Sequence, residues 1–71
     1  MLTQKEIDQR YQQALNDLPA EFRVVFVMRM HENLSYDEIA VLLKINSGTV
    51  MSRLHRARQR MAEALKDLLE P

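Results

Sequence analysis

The chain has 71 residues, ten basic and ten acidic side chains, one glycine and no cysteine, so it is one small domain that buries only about 60% of the surface its unfolded form exposes. With 46% hydrophobic and 28% charged residues it is neither a disordered tail nor a membrane protein, and it can form no disulfide framework, thiolate zinc site or histidine metal cluster. No apolar run reaches the ~18 residues of a bilayer span and the N-terminus lacks a signal-peptide pattern, so the cytoplasm is the expected compartment.

Thr3 followed by Glu6 fits a capping box, and Ile7, Tyr11, Leu15 and Leu18 recur at helical spacing. That predicts a first helix from about Gln4 to Asn16. Pro19 suits the start of a helix, where its missing amide costs nothing. A second helix is expected over Ala20 to His31, with Phe22, Val25, Phe26 and Met30 inward and Glu32-Asn33 ending it. Ser35 and Glu38 form another capping box ahead of Ile39, Ala40, Leu42 and Leu43. A third helix of about two turns therefore starts near Tyr36. Lys44-Ile45-Asn46 breaks the pattern as a tight turn, with Ser47 or Asn46 ready to cap a fourth helix. From Val50 the apolar positions Leu54, Ala57, Met61, Leu65 and Leu68 continue one seam over about five turns. The expected architecture is one all-α domain over residues 1–71, four helices ending in a helix-turn-helix with a long recognition helix.

The zero net charge conceals a division. Residues 1–43 carry four basic and seven acidic side chains, residues 44–71 carry six and three, and residues 44–62 contain no acid. One face can thus be strongly positive. At 100° per residue from Val50, the positions Gly48, Ser52, His55 and Gln59 lie within about 40° of the opposite pole, with Met51 and Arg56 on its shoulders. Ser, His, Gln and Arg side chains can hydrogen-bond base edges, while the flanking Arg53, Arg58 and Arg60 reach toward phosphates on either side of a groove. A glycine at position 48 allows close backbone approach.

The strings Leu34 to Ala40 (LSYDEIA) and Gly48 to Arg58 (GTVMSRLHRAR) resemble the "LSYxEIA…GTVxSRLHRAR" signature of region 4 in extracytoplasmic-function sigma factors. Leu18-Pro19, Arg23, Val25-Phe26 and Arg29 resemble the "LPxxxRxVFxLR" stretch of the same family. The resemblance spans residues 18–61 and implies a domain that reads the minus-35 promoter element and packs on the flap of the RNA polymerase β subunit. It implies base contacts from Met51, Ser52, His55 and Arg56 and phosphate contacts from Arg29 and Tyr36. Arg53, Arg58 and Gln59 complete the expected phosphate set. Promoter DNA and polymerase are the implied partners, an anti-sigma factor is a further candidate, and no cofactor, small-molecule substrate or membrane partner is expected.

Two positions depart from the pattern. Position 51 is usually Lys or Arg in the family, and Met offers only van der Waals contact. Asn33 stands where the family has Gly, in a place that requires a left-handed C-cap, a conformation that Asn tolerates. Nothing resembles region 2, so the chain is expected to be a fragment or autonomous module of such a factor.

Structural readings compete at several residues. Tyr36 can be a core aromatic beside Ile39 and Ala40, Arg53 can pair with Glu38 or Asp37, and the five methionines can be core filler. His31 is expected to be exposed and uninformative. No nucleophile, base and orienting group occur together, and Asp37-Glu38 are explained by capping, so no enzyme is expected. The competing functions are a response-regulator-type activator domain, which the Ser52 to Arg56 stretch disfavours, and a helical protein-binding module without DNA contact.

Overall fold

The computed structural model describes residues 1–69, and these are all-helical: α1 (Gln4–Asn16), α2 (Ala20–Met30), α3 (Tyr36–Leu43), α4 (Ser47–Ala64) and α5 (Lys66–Leu69). The predicted capping boxes form at both α1 and α3. Thr3 accepts from the Glu6 amide at 3.2 Å and Ser35 from the Glu38 amide at 3.1 Å, while each glutamate carboxylate reaches back to its cap residue. The hydrogen bonds that Ser35 donates hold the Glu38 carboxyl below its ordinary value. Asn46 caps α4 by accepting from the Thr49 amide at 2.7 Å, which settles the choice between Asn46 and Ser47.

The core joins Ala14, Leu15 and Leu18 to Val25 and Phe26 of α2, Ile39 of α3, and Val50, Leu54, Ala57 and Met61 of α4. Helix α4 is its axis, packing against all four other helices. In α2 and α3 the buried and half-buried inward side chains follow an i, i+3, i+4, i+7 set. This corrects one predicted core position, Met30. In α2 the set is Phe22, Val25, Phe26 and Arg29, so Met30 lies outside it and is 47% exposed. In α3 the set is Tyr36, Ile39, Ala40 and Leu43, which leaves Leu42 60% exposed. The methionines divide likewise: Met61 is buried, whereas Met1, Met30 and Met51 are exposed.

The four expected helices form, and a short fifth, α5, follows them. The seam does not run unbroken to Leu68, because α4 stops at Ala64 and Leu65 leaves the helical region at φ −109°, ψ 14°. The turn carries α5 onto α1. Asp67 receives Arg10 through both guanidinium nitrogens at 2.6 and 3.0 Å, while Leu65 and Leu68 line an apolar groove with Ile7 and Tyr11. This charged pair lowers the Asp67 carboxyl from its usual range and raises the Arg10 guanidinium. The end of α2 is shifted by one residue, with His31 as its C-cap.

The turn between α3 and α4 is a Schellman motif. Ile45 N–H donates to the Ala40 carbonyl at 3.1 Å and Lys44 N–H to that of Val41 at 3.3 Å, while Ile45 packs against the core. Lys44 closes it in the left-handed region at φ 57°, and Asn33, two residues past the C-cap of α2, takes the same region at φ 58°. A left-handed lysine costs about 1–2 kcal/mol, whereas glycine adopts this conformation freely and forfeits about 0.4–1 kcal/mol through its looser unfolded state. Lys44→Gly is therefore expected to stabilise the fold by about 0.5–1 kcal/mol and Lys44→Val to destabilise it, as read from urea midpoints at constant slope. Equal midpoints for the three proteins would refute this account of the turn.

Candidate nucleic-acid interface

A helix-turn-helix is formed by α3, the Lys44 turn and α4. Burial of Val50, Leu54, Ala57 and Met61 points one side of α4 inward and commits the opposite side to solvent. Met51, Ser52, His55, Arg56, Arg58 and Gln59 are all exposed on the outer side and its flanks. Met51 is 53% exposed, so it belongs to the surface and not to the seam. Gly48 sits in the first turn, where a Cβ would lie 3.3 Å from Asn46 Oδ1. Its smallness therefore leaves the cap room, beyond any role in close approach.

The electrostatics of the helix ends set α4 apart. Acidic residues occupy the first turn of α1 (Glu6), α2 (Glu21) and α3 (Asp37 and Glu38), but none occupies that of α4. The partial positive charge of its amino end is thus uncompensated by its own sequence, and it adjoins the acid-free stretch of residues 44–62.

The four arginines of α4 are held differently. Arg53 is half-buried and lies 3.8 Å from Glu21 of α2, so its internal partner is not Glu38 or Asp37. Across the α2–α4 crossing, Arg60 stacks on the Phe22 ring at 5.4 Å and Arg58 Nη2 reaches the Met30 sulfur at 3.7 Å. Among the described residues Arg56 makes no side-chain hydrogen bond, ion pair or ring contact. It is the guanidinium most available to a ligand.

Arg29 and Tyr36 come together away from this row. The Arg29 guanidinium donates to the Leu34 carbonyl at 3.1 Å and lies 5.2 Å from the centre of the Tyr36 ring. Both are half-buried, so they brace the link between α2 and α3, with donors left over for an anion at its edge. Tyr36 also packs on the core.

Two features escape a reading of sequence alone. Asn46 Oδ1 accepts from both the amide and the hydroxyl of Thr49, at 2.7 and 3.0 Å, which turns the Asn46 NH₂ group outward as a donor at the start of α4. The Asn-x-x-Thr spacing signals it. His31 is exposed as expected but not idle, since its Nε2 lies 2.8 Å from the Tyr11 hydroxyl and its ring stacks on that of Tyr11. It ties the end of α2 to α1.

Among the described residues no three His, Cys, Asp or Glu side chains come together as metal ligands, and no helix is long and apolar enough to cross a membrane.

Comparison with known proteins agrees with this geometry. The profile of the family "Sigma-70, region 4" matches residues 8–61. The ECF RNA polymerase sigma factor SigE of Mycolicibacterium smegmatis is 48% identical over 54 residues, which are 76% of this chain and 21% of that protein. The RNA polymerase sigma-H factor of Pseudomonas aeruginosa is 39% identical over 64 residues, 90% of this chain and 33% of that protein. The ECF RNA polymerase sigma factor SigW of Bacillus subtilis is 38% identical over 63 residues, 89% of this chain and 34% of that protein. The chain thus spans between a fifth and about a third of the length of these relatives. The matched stretch includes α3, the turn and α4 as far as Met61, and the chain belongs to the sigma-70 region 4 family.

Proposed function

We propose that this chain is the minus-35-reading domain of a sigma factor that directs RNA polymerase to promoters. The observation that carries the reading is the outer side of α4: an acid-free row with Ser52, His55 and Arg56 exposed opposite a fully buried seam. Its dimensions and chemistry suit the major groove, into which a recognition helix places its amino-terminal half. In that pose Met51, Ser52, His55 and Arg56 face base edges, and Arg58 and Gln59 flank them toward phosphates. Arg53, partly neutralised by Glu21, is the weaker phosphate anchor, and Arg29 with Tyr36 meets the backbone beside the start of α3. Met51 can pack against a thymine methyl or a sugar, and supplies no charge.

The names of the relatives support RNA polymerase as the protein partner. Residues 1–43 carry seven of the chain's ten acidic side chains, so α1 to α3, apart from the Arg29–Tyr36 edge, are the side offered to the polymerase flap or to an anti-sigma factor. This arrangement lets DNA and protein bind together.

A binding titration of the domain with a minus-35-type duplex at several salt concentrations tests the proposal. Four or five neutralised phosphates give a slope of log K against log salt of roughly −4, at about −0.9 per contact. Binding that is indifferent to salt, or no stronger than to a random duplex at every salt concentration, would refute it.

Arg56 and Arg58 are expected to behave differently. Arg56→Ala should cost about 1–3 kcal/mol at the best site and relax the preference at one base pair, because an unpartnered Arg on the groove-facing side is suited to bidentate contact with guanine. Arg58→Ala should weaken all sequences alike. Affinities for the best site and its single-base variants separate these outcomes, and a uniform loss for Arg56→Ala would reassign it to the phosphates.

A further inference from the structure

Ser52 lies on the outer pole of α4, exposed, with its Oγ 3.2 Å from the backbone carbonyl oxygen of Thr49. A carbonyl carries no proton, so the hydrogen of this contact is the serine's own. The hydroxyl proton is directed back along the helix, and the two lone pairs of Oγ are left for whatever approaches from outside. The preceding turn repeats the device. Thr49 spends its hydroxyl proton on Asn46 Oδ1 at 3.0 Å, and that oxygen is also filled by the Thr49 amide.

In the major groove the hydrogen-bond donors are the 6-amino group of adenine and the 4-amino group of cytosine, whereas guanine and thymine present acceptors. We infer that Ser52 acts as a hydrogen-bond acceptor in base recognition, taking its bond from the exocyclic amino group of an adenine or a cytosine. The inference rests on the promoter-reading proposal and deepens it. A hydroxyl serine is commonly treated as indifferent to base identity, because its rotor lets it donate or accept. Here the rotor is engaged, and turning it outward as a donor forfeits one hydrogen bond, a bias of roughly two- to tenfold. Arg56, one turn further along the same side, has only donors. The pair therefore presents an acceptor beside a donor, which fits an amino-bearing base next to a guanine and mismatches the reverse order.

The test uses the 71-residue chain and a duplex selected by it from a randomised library at low salt. Each adenine of the preferred site is replaced in turn by purine lacking the 6-amino group, and each cytosine by the pyrimidinone lacking the 4-amino group. Each purine is also replaced by its 7-deaza analogue, which lacks the N7 acceptor. All duplexes are titrated against the parent and Ser52→Ala, whose fold is checked by circular dichroism. Ser52→Ala removes an exposed hydroxyl and installs the better helix former, so folding is retained.

The expected result is that deleting one amino group weakens the parent by roughly fivefold, the net worth of one hydrogen bond, and leaves Ser52→Ala unchanged. Coupling at a 6-amino group identifies adenine, and coupling at a 4-amino group identifies cytosine. Coupling of Ser52 to a 7-deaza position, or to no amino group in the site, overturns the inference while the promoter-reading proposal stands. Failure of the library to yield any preferred sequence overturns that proposal, and this inference with it.

Discussion

Val50, Leu54, Ala57 and Met61 lie along one side of α4 and share a single cluster with Val25 and Phe26 of α2 and Ile39 of α3. In so small a domain the hydrophobic energy is concentrated there. Truncating one core leucine to alanine costs about 2–5 kcal/mol, a large part of the total stability of a typical domain. The same packing fixes the rotation of α4 about its own axis. Turning the helix by one residue would carry Met51 or Thr49 inward and move every outer residue by 100°. The chemistry offered to a groove is therefore a consequence of which aliphatic side chains are buried beneath it.

Polar contacts then hold the other helices around that axis. Arg29 completes the inward row of α2, yet spends its guanidinium on the Leu34 carbonyl and the Tyr36 ring, joining α2 to the start of α3. The left-handed residues Asn33 and Lys44 reverse the chain on either side of α3 without a glycine. Arg10 and Asp67, together with the Tyr11–His31 pair, fasten α1 to the ends of α5 and α2. The Arg10–Asp67 and Tyr11–His31 contacts are exposed, and each contributes little energy alone. Their role is geometric, since they set where short helices sit on a core that is mostly non-directional.

The parts of this fold legible in the sequence are those with local causes. Thr3 with Glu6 and Ser35 with Glu38 are reciprocal caps formed within one turn, and they place two helix starts correctly. The seam of α4 through Met61 follows from the 3.6-residue period, and with it the exposed outer row. What escaped has long-range or conformational causes. Nothing near Leu65 announces a break, because that turn is linked to a contact with Arg10, 57 residues away from Asp67. Met30 reads as core because it is apolar and at helical spacing, although the packing gives the inward place to the half-buried Arg29 and leaves Met30 exposed. The partner of Arg53 lies on α2, where the crossing brings Glu21 within 3.8 Å, and no spacing along the chain encodes that meeting. The hydrogen-bond polarity of Ser52 is likewise invisible until the hydroxyl is placed against the Thr49 carbonyl.

The central claim is that the buried seam of α4 presents its opposite side to DNA while α1 to α3, apart from the Arg29–Tyr36 edge, remain free for protein. Backbone amide chemical-shift mapping with a minus-35-type duplex tests it most directly, since every helix is observed at once. The account predicts that the largest changes fall on the outer side of α4, at Met51, Ser52, His55, Arg56 and Gln59, with smaller ones near Tyr36 and little change along α1. Changes centred on α1 or on the groove lined by Ile7 and Leu68, with α4 unaffected, would contradict it.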